Sequence, residues 1–396
     1  MDILIVSQYL RDIEDFSENN SRFIYLVNLL AQNIENTVEI ITSDFNHATK
    51  KHFRKCGELH SVRFTVLHEP GYSKNVSLKR FVSHKKLAKN VGQYLRNRQK
   101  PDVCYCAVPS LDVAGAVAQY CKGAGIRFIV DIQDLWPEAF KMVFHIPILS
   151  DLIFFPMKKK ADKIYALADE VVAVSDTYAK RAMRVNKKCK AATVAYLGTE
   201  KANFDRYAKI AVEKYAGITI AYVGSMSASY DLKSVIDAMS KIKSSSIKLL
   251  AMGDGALRTA FTEYAKEKGV NAEFTGKLIY PQMVERLLQC DIAVNPIRKD
   301  SAGSILNKVG DYAMAGLPVI NTQECLEYQN LLNQYQAGIN CDSENIIDIK
   351  NAIECLMHDS DLRVLMGRNS RRMAEELFDR EKTYVNIKNL ILSGEA

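Results

Sequence analysis

A chain of 396 residues is long for one hydrophobic core and comfortable for two, and its 48% hydrophobic and 25% charged content is that of an ordinary globular protein. No apolar run reaches about 18 residues, so no spanning helix is expected, and the acidic, strand-like start Met1-Asp2-Ile3-Leu4 lacks the basic region and long apolar stretch of a signal peptide. The nine cysteines are scattered, with Cys104 and Cys106 at strand period rather than metal spacing, which reads as buried thiols in a reducing compartment; the net charge of +7 comes with no nucleic-acid recognition motif.

In chain order, residues 3–7 read as a buried strand and 8–20 as a polar loop. Asn20 or Ser21 caps a helix to about 32, with Phe23, Leu26, Val27 and Leu30 on one face. Strands follow over 38–42 and 62–67. From 74 to 100 there is no acid, and Lys79, Arg80, Lys85, Lys86, Lys89, Arg96 and Arg98 interleave with Leu78, Phe81, Val82, Leu87, Val91 and Leu95 at roughly helical spacing. Residues 146–160 are a second basic and apolar region. Such helices lie on anionic membrane surfaces, or else show a solvated basic face while the apolar stripe packs in a core; both readings stay open here. Strands at 102–107, 127–131, 171–175 and 193–197, with a helix at 111–122, complete a first half.

Residues 198–216 are polar and join the halves, and the pattern then restarts. Strands are expected over 218–223, 247–252, 271–275 and 291–296, and helices over 232–242, 255–268 and 280–289. Alternation of this kind implies parallel, doubly wound sheets. After the strand at 291–296 comes a flexible loop, then a helix starting near Ser304 and stopped by Ala315-Gly316-Leu317-Pro318 before a strand at Val319. Helices at 346–358 and 361–377 and a segment at 380–392 close the chain.

The start of that helix carries the chemistry. A helix beginning after a small-residue loop offers free N–H groups and a positive dipole end to an anion. Lys308 adds a full charge, and Asp311, about two turns in, is placed to accept from vicinal hydroxyls. Diphosphate and sugar hydroxyls together describe a nucleotide-sugar site. Most strand-loop-helix units bind nothing, so the wider sequence matters.

The segment Lys308-Val309-Gly310-Asp311-Tyr312-Ala313-Met314-Ala315-Gly316-Leu317-Pro318-Val319-Ile320 looks like the K-x-x-E-Y-M-A-x-G-x-P-V-I segment of glycosyltransferase family 4. Gly253-Asp254-Gly255-Ala256-Leu257-Arg258 resembles the family's G-D/E-G-x-x-R after a strand, and Phe274-Thr275-Gly276-Lys277-Leu278 resembles the segment whose backbone reads the base. Asp131-Ile132-Gln133-Asp134-Leu135-Trp136-Pro137-Glu138 resembles the D-x-x-D-L-W-P-E of members that assemble bacterial surface polysaccharides such as capsule, O-antigen or lipopolysaccharide.

The resemblance implies a GT-B fold: two Rossmann-like α/β domains facing a central cleft, an acceptor domain over 1–200, a donor domain over 201–376, and a terminal helix over 377–396 crossing back. It implies retaining transfer of a hexosyl or N-acetylhexosaminyl group from a nucleotide-diphosphate sugar, expected to be a UDP-sugar, without metal or other cofactor. The acceptor would be a saccharide or polyprenyl-diphosphate-linked sugar at the cytoplasmic face of a membrane.

On the donor side the resemblance points to Gly224, Ser225, Ser227, Gly255, Arg298, Gly303, Ser304, Ile305, Leu306 and Lys308 for the diphosphate and sugar. Asp311 would take the ribose, and the backbone at Lys277 and Leu278 the base. Asp131, Gln133 and Asp134 are the candidates at the reacting sugar, and Ser21, Arg22 and Glu138 at the acceptor. Three departures stand out. Residues 225–232 hold neither the family's Arg nor its Lys-Gly pair; Tyr230-Asp231-Leu232 in that place resembles a subgroup acting on amino- or deoxy-sugars. The first acid of the E-x7-E pair is replaced by Gly303, and Gln133 stands where many relatives have His. The seven histidines show no metal pair or triad. A non-catalytic partner of the same fold and a sugar-nucleotide epimerase are the rival readings.

Overall fold

The computed structural model describes residues 1–10, 13–16, 21–59, 61–75, 77–143, 149–208, 215–244, 246–299, 301 and 304–394. The chain forms two compact units, Met1–Ala195 together with Tyr384–Ala396, and Tyr196–Thr383.

The first unit is built on a parallel sheet of β1 (Asp2–Val6), β2 (Thr37–Ser43), β3 (Val62–Leu67), β4 (Val103–Val108), β5 (Arg127–Ile132), β6 (Glu170–Ala173) and β7 (Thr193–Val194), in the order β3-β2-β1-β4-β5-β6-β7. Its central strands are nearly continuous apolar runs because helices cover both faces. β4 is buried at every position. The helix Leu111–Ala124 is capped by Ser110, whose hydroxyl accepts from the Val113 N–H, and ends at Gly125 in the left-handed conformation (φ 67°). Leu10 and Ile13, in the stretch read as a polar loop, are buried against this core. A two-stranded hairpin, Phe45–Asn46 with Lys51–His52, follows β2 and was not expected, its strands being two residues each.

The second unit repeats the plan with β8 (Ile218–Val223), β9 (Ile247–Met252), β10 (Ala272–Gly276), β11 (Ile292–Asn295), β12 (Val319–Asn321) and β13 (Gly338–Asn340), ordered β10-β9-β8-β11-β12-β13. The order reverses between β8 and β11. In open parallel sheets ligands settle outside the carboxyl ends of the strands at such a reversal. The stretch read as a joint, 198–216, holds the helix Lys201–Tyr207, and its Phe204 is buried in the core of this unit. The helix expected to run to 377 is regular only over Ser360–Met373 and widens over Ala374–Phe378.

The helix Arg380–Leu392 delivers Tyr384, Ile387 and Ile391 to the core of the first unit. There Arg127 donates to the carbonyl oxygens of Leu390 (2.6 Å) and Ile391 (2.8 Å).

Candidate active site

At the carboxyl edge of the second sheet, glycine lets three loops pack backbone on backbone. Gly224 (φ 135°), Gly253 (φ 147°) and Gly276 (φ 76°) stand at the ends of β8, β9 and β10 in conformations that side chains rarely adopt. A Cβ on Gly253 would lie 1.9 Å from the Gly224 carbonyl oxygen, and one on Gly255 2.4 Å from that of Met226. Hydrogen bonds close the seam: Gly224 N–H to Met252, Met226 N–H to Asp254 and Gly253 N–H to Gly276, each 2.9 Å. Ser225 is left exposed and Ser227 half-buried. Lys277 and Arg298 are exposed, and Leu278 packs against the core.

The loop after β11 is pinned from β12. The Ile297 N–H donates to Thr322 Oγ1 (2.8 Å), and Asn295 Nδ2 donates to Asn321 Oδ1 (2.9 Å) and Gln323 Oε1 (3.1 Å). Gln323 Nε2 in turn donates to the Ser304 carbonyl. The helix therefore does not start at Ser304. Ser304 is drawn to Gln323, Leu306 is extended (φ −83°, ψ 149°), and the helix runs Asn307–Met314 with no side chain capping it. The Ser304 hydroxyl is buried without a hydrogen-bond partner. Gly303 lies outside the described residues.

This later start puts Lys308 in the first turn and Asp311 just over one turn in. Tyr312 ties the helix to β8, its hydroxyl accepting from the Val223 N–H (2.7 Å). Lys308 is 7% exposed, and its Nζ has no hydrogen-bond partner. It lies 4.4 Å from the ring centre of Tyr222 and 4.3 Å from that of Tyr230, beside Gly224. Burial holds its ammonium well below the ordinary lysine range. Tyr230 thus forms one wall of an aromatic slot around the Lys308 side chain. Asp311 is half-buried and accepts from the Tyr280 hydroxyl (2.9 Å), which is also 2.6 Å from Thr199 Oγ1. Burial pushes its carboxyl up to about 6, against the lowering effects of the Tyr280 bond and the Arg380 charge.

In the first unit Arg22 and Asp131 hold each other. Both are buried, and they pair through Nε–Oδ2 (3.0 Å) and Nη2–Oδ1 (3.1 Å). Arg22 Nη1 donates to the Ala195 carbonyl (2.9 Å) and the Tyr384 hydroxyl (3.2 Å). The cause lies in β5: a carboxylate inside a strand covered on both faces needs a fixed cation. Arg22, expected at an acceptor phosphate, instead neutralises Asp131, expected at the reacting sugar. Ser21 stands just before the helix Arg22–Ala31.

Gln133 Nε2 donates to Asp131 Oδ2 (3.3 Å). Asp134 accepts from Trp136 Nε1 (3.2 Å), and burial raises its carboxyl. Glu138 accepts from Arg181 Nε (2.6 Å).

A polar cluster that sequence reasoning missed lies beyond the carboxyl ends of β1, β2 and β3. Buried Glu69 accepts from Gln8 Nε2 (3.0 Å), Ser43 Oγ (2.7 Å) and Ser83 Oγ (2.8 Å). Arg80 donates to the Tyr9 hydroxyl (3.1 Å) and sits 4.6 Å over the Trp136 ring, while its Nε is buried without a hydrogen-bond partner. His84 Nε2 is 3.0 Å from the Tyr9 hydroxyl; burial, then the Arg80 charge, lowers it to about 3, so it is neutral. The signal was present: Arg80, His84, Leu87, Val91 and Leu95 lie on one helical stripe, all buried.

The histidines are scattered in sequence only. The structure brings Asp44, His52 and His68 close enough for their ligand atoms to lie within 4.8 Å of one another, the one such group among the described residues. His52 Nε2 lies 2.7 Å from the Glu69 carbonyl oxygen and His68 Nδ1 2.8 Å from Asp44, contacts that tie the hairpin to β3.

Residues 204–373 match the family model described as Glycosyl transferases group 1. That domain and the two doubly wound sheets define the class: a glycosyltransferase with the GT-B fold. No curated protein matches the chain in sequence. Among solved structures it is similar to sucrose-phosphate synthase from Thermosynechococcus elongatus (TM-score 0.75, 14% identity, 98% of each chain covered). It is also similar to HepE of Anabaena, solved in complex with UDP (TM-score 0.70, 13% identity, 99% of this chain and 100% of that chain). A third is WaaG, a glycosyltransferase involved in lipopolysaccharide biosynthesis (TM-score 0.65, 14% identity, 100% of each chain).

Proposed function

We propose that the protein transfers a sugar, with retention and without a metal, from a UDP-sugar to a saccharide or polyprenyl-diphosphate-linked acceptor, beside the cytoplasmic face of a membrane. The observation that carries the donor assignment is Lys308, a buried cation with an unpartnered Nζ at an uncapped helix start next to the Gly224 loop. An ammonium so placed gains a counter-charge when an anion enters. In this reading the leaving diphosphate rests on Lys308 and the amides of Asn307 and Lys308, lined by Ser304, Ile305, Leu306, Gly224 and Ser225, with Arg298 at the rim. Preorganised cations and amides then stabilise the charge that develops as the glycosidic bond breaks.

Asp311 accepts the ribose hydroxyls, and the backbone at Lys277–Leu278 meets the base. UDP rather than another nucleotide is supported by HepE, which was solved with UDP and with UDP-glucose. Retention and metal independence rest on the family resemblance of the motifs. On the acceptor side Arg80, whose Nε lacks a partner, is a better candidate for an acceptor phosphate than Arg22, and Asp134 and Gln133 stay the candidates at the reacting sugar.

A thermal-shift panel of nucleotides and nucleotide sugars tests the donor site. UDP and a UDP-sugar are expected to raise the Tm, and Asp311→Ala to abolish the rise. An equal response to all nucleotides, or none, would remove the assignment.

A further inference from the structure

Three segments that meet at one corner of the first sheet bring together side chains of the kind that bind metals. Asp44 follows β2, His52 ends the second strand of the hairpin, and His68 follows β3. Backbone bonds hold the three segments together. The Asp44 N–H donates to the Leu67 carbonyl (3.0 Å), and the Phe53 N–H to the Asp44 carbonyl (2.9 Å). The carboxylate is aimed by the Glu69 N–H, which donates to Asp44 Oδ1 (2.8 Å). The rings of His52 and His68 stack at 19° with centres 5.6 Å apart, and the ring of Phe45 meets that of His52 at 5.4 Å.

Two imidazoles and a carboxylate are a ligand set for an ion of the zinc class, and with bonds of about 2.0 Å the ligand atoms of a tetrahedral site stand about 3.3 Å apart. His68 Nδ1 lies 2.8 Å from Asp44 Oδ2 and His52 Nε2 3.8 Å from Asp44 Oδ1, on either side of that spacing. Because all three ligand atoms already lie within 4.8 Å of one another, a small turn of either imidazole completes the geometry. The His52 and His68 side chains are 43% and 61% exposed, so water can fill the remaining positions. The hairpin also has use for a clasp, since strands of two residues each are too short to hold themselves together.

We propose that Asp44, His52 and His68 bind one divalent transition-metal ion of the zinc class, which fastens the hairpin to the ends of β2 and β3. The turn of the hairpin carries His47, whose ring lies 5.1 Å from that of Tyr9 and whose Nδ1 is 2.5 Å from the Tyr72 hydroxyl. The clasp therefore fixes one wall of the polar cluster around Arg80. The ion is structural, so the inference does not rest on the transfer reaction.

The intact protein, free of any affinity tag and stripped with chelator, is titrated with zinc in calorimetry and with cobalt(II) in absorption. One equivalent is expected to bind, and cobalt to show ligand-field bands without a thiolate charge-transfer band, which separates this site from the exposed thiols Cys56 and Cys355. His52→Ala and His68→Ala, both at exposed positions and checked for native circular dichroism, are each expected to weaken binding at least about tenfold. Should one of them fail to fold, the other decides. Zinc at about ten times its Kd is expected to slow tryptic cleavage after the exposed Lys51 about tenfold relative to a control peptide, because the hairpin must open to be cut, and both variants are expected to lose this protection. Absence of binding, a thiolate band, full affinity in the variants, or cleavage unchanged by bound zinc would each overturn the proposal.

Discussion

When protonated, Lys308 carries a charge that the ligand-free protein only partly compensates. The faces of Tyr222 and Tyr230 attract the ammonium, but they replace less than the hydration it has lost. Its pKa is lowered on folding, so the unfolded chain holds the proton more tightly. The group's contribution to stability is therefore full above the ordinary lysine pKa and is lost as pH falls through the folded value. Lys308→Met keeps the length and drops the charge. It is expected to stabilise the ligand-free protein by about 1–3 kcal/mol in urea unfolding and to remove UDP binding in calorimetry. A destabilised variant that still binds UDP would make the lysine a packing residue.

Asp311 titrates in the opposite sense. Its carboxyl is pushed up to about 6, so its contribution to stability is present at acid pH and is lost as pH rises through that value. Ribose hydroxyls need the ionised form, so UDP-sugar affinity is expected to fall about tenfold from about pH 7 to about pH 5. A UDP-sugar suits this measurement because its diphosphate has no group titrating near 6. Asp311→Asn should flatten the profile, and an unchanged slope would exclude Asp311 as the titrating group.

The seam of strand-end loops makes the second unit intolerant of single methyl groups. Gly253→Ala sets a Cβ 1.9 Å from a carbonyl oxygen at a φ of 147°. It is expected to lower stability by about 2–5 kcal/mol, combining backbone strain and overpacking, with the loss appearing in thermal unfolding. A near-neutral result would mean that the Gly224 loop yields easily. What the sequence made legible follows from the range of the interactions concerned. β3 and β9 were readable to the residue because each is a short, mostly apolar segment with polar or turn residues on both sides, and the helix Ile346–His358 because its stripe and ends are local. The start of the helix Asn307–Met314 was not, because what moves it is Gln323, sixteen residues past Asn307, bonding to the Ser304 carbonyl. Arg22 and Asp131 are 109 positions apart, so their pairing left each looking like a free functional charge. Arg80 and His84 sit on an apolar stripe that was visible, yet polar residue types on a basic helix read as surface. β13 was passed over because its three residues are half-buried and begin with Gly338, where a Cβ would lie 2.2 Å from the Val319 carbonyl oxygen.

At the scale of the whole chain, the first unit is assembled from segments at both ends of the sequence. Removing residues 384–396 strips Tyr384, Ile387 and Ile391 from its core and takes an acceptor from Arg22 and three from Arg127. Three such side chains are worth about 1.5–3 kcal/mol each, so a loss on the order of 5 kcal/mol is expected. Trp136 lies in this unit and is the only tryptophan, so the urea midpoint of its emission isolates the effect. The stabilisation by UDP proposed for the other unit should survive; an unmoved midpoint would show that the terminal helix is dispensable to the sheet it packs on. The same arrangement bears on biosynthesis. Tyr384 and its neighbours leave the ribosome only after every residue of the second unit, so the nascent amino-terminal sheet emerges with part of its greasy surface bare and must be kept from aggregating, by chaperones or by slow translation, until the last helix arrives to cover it.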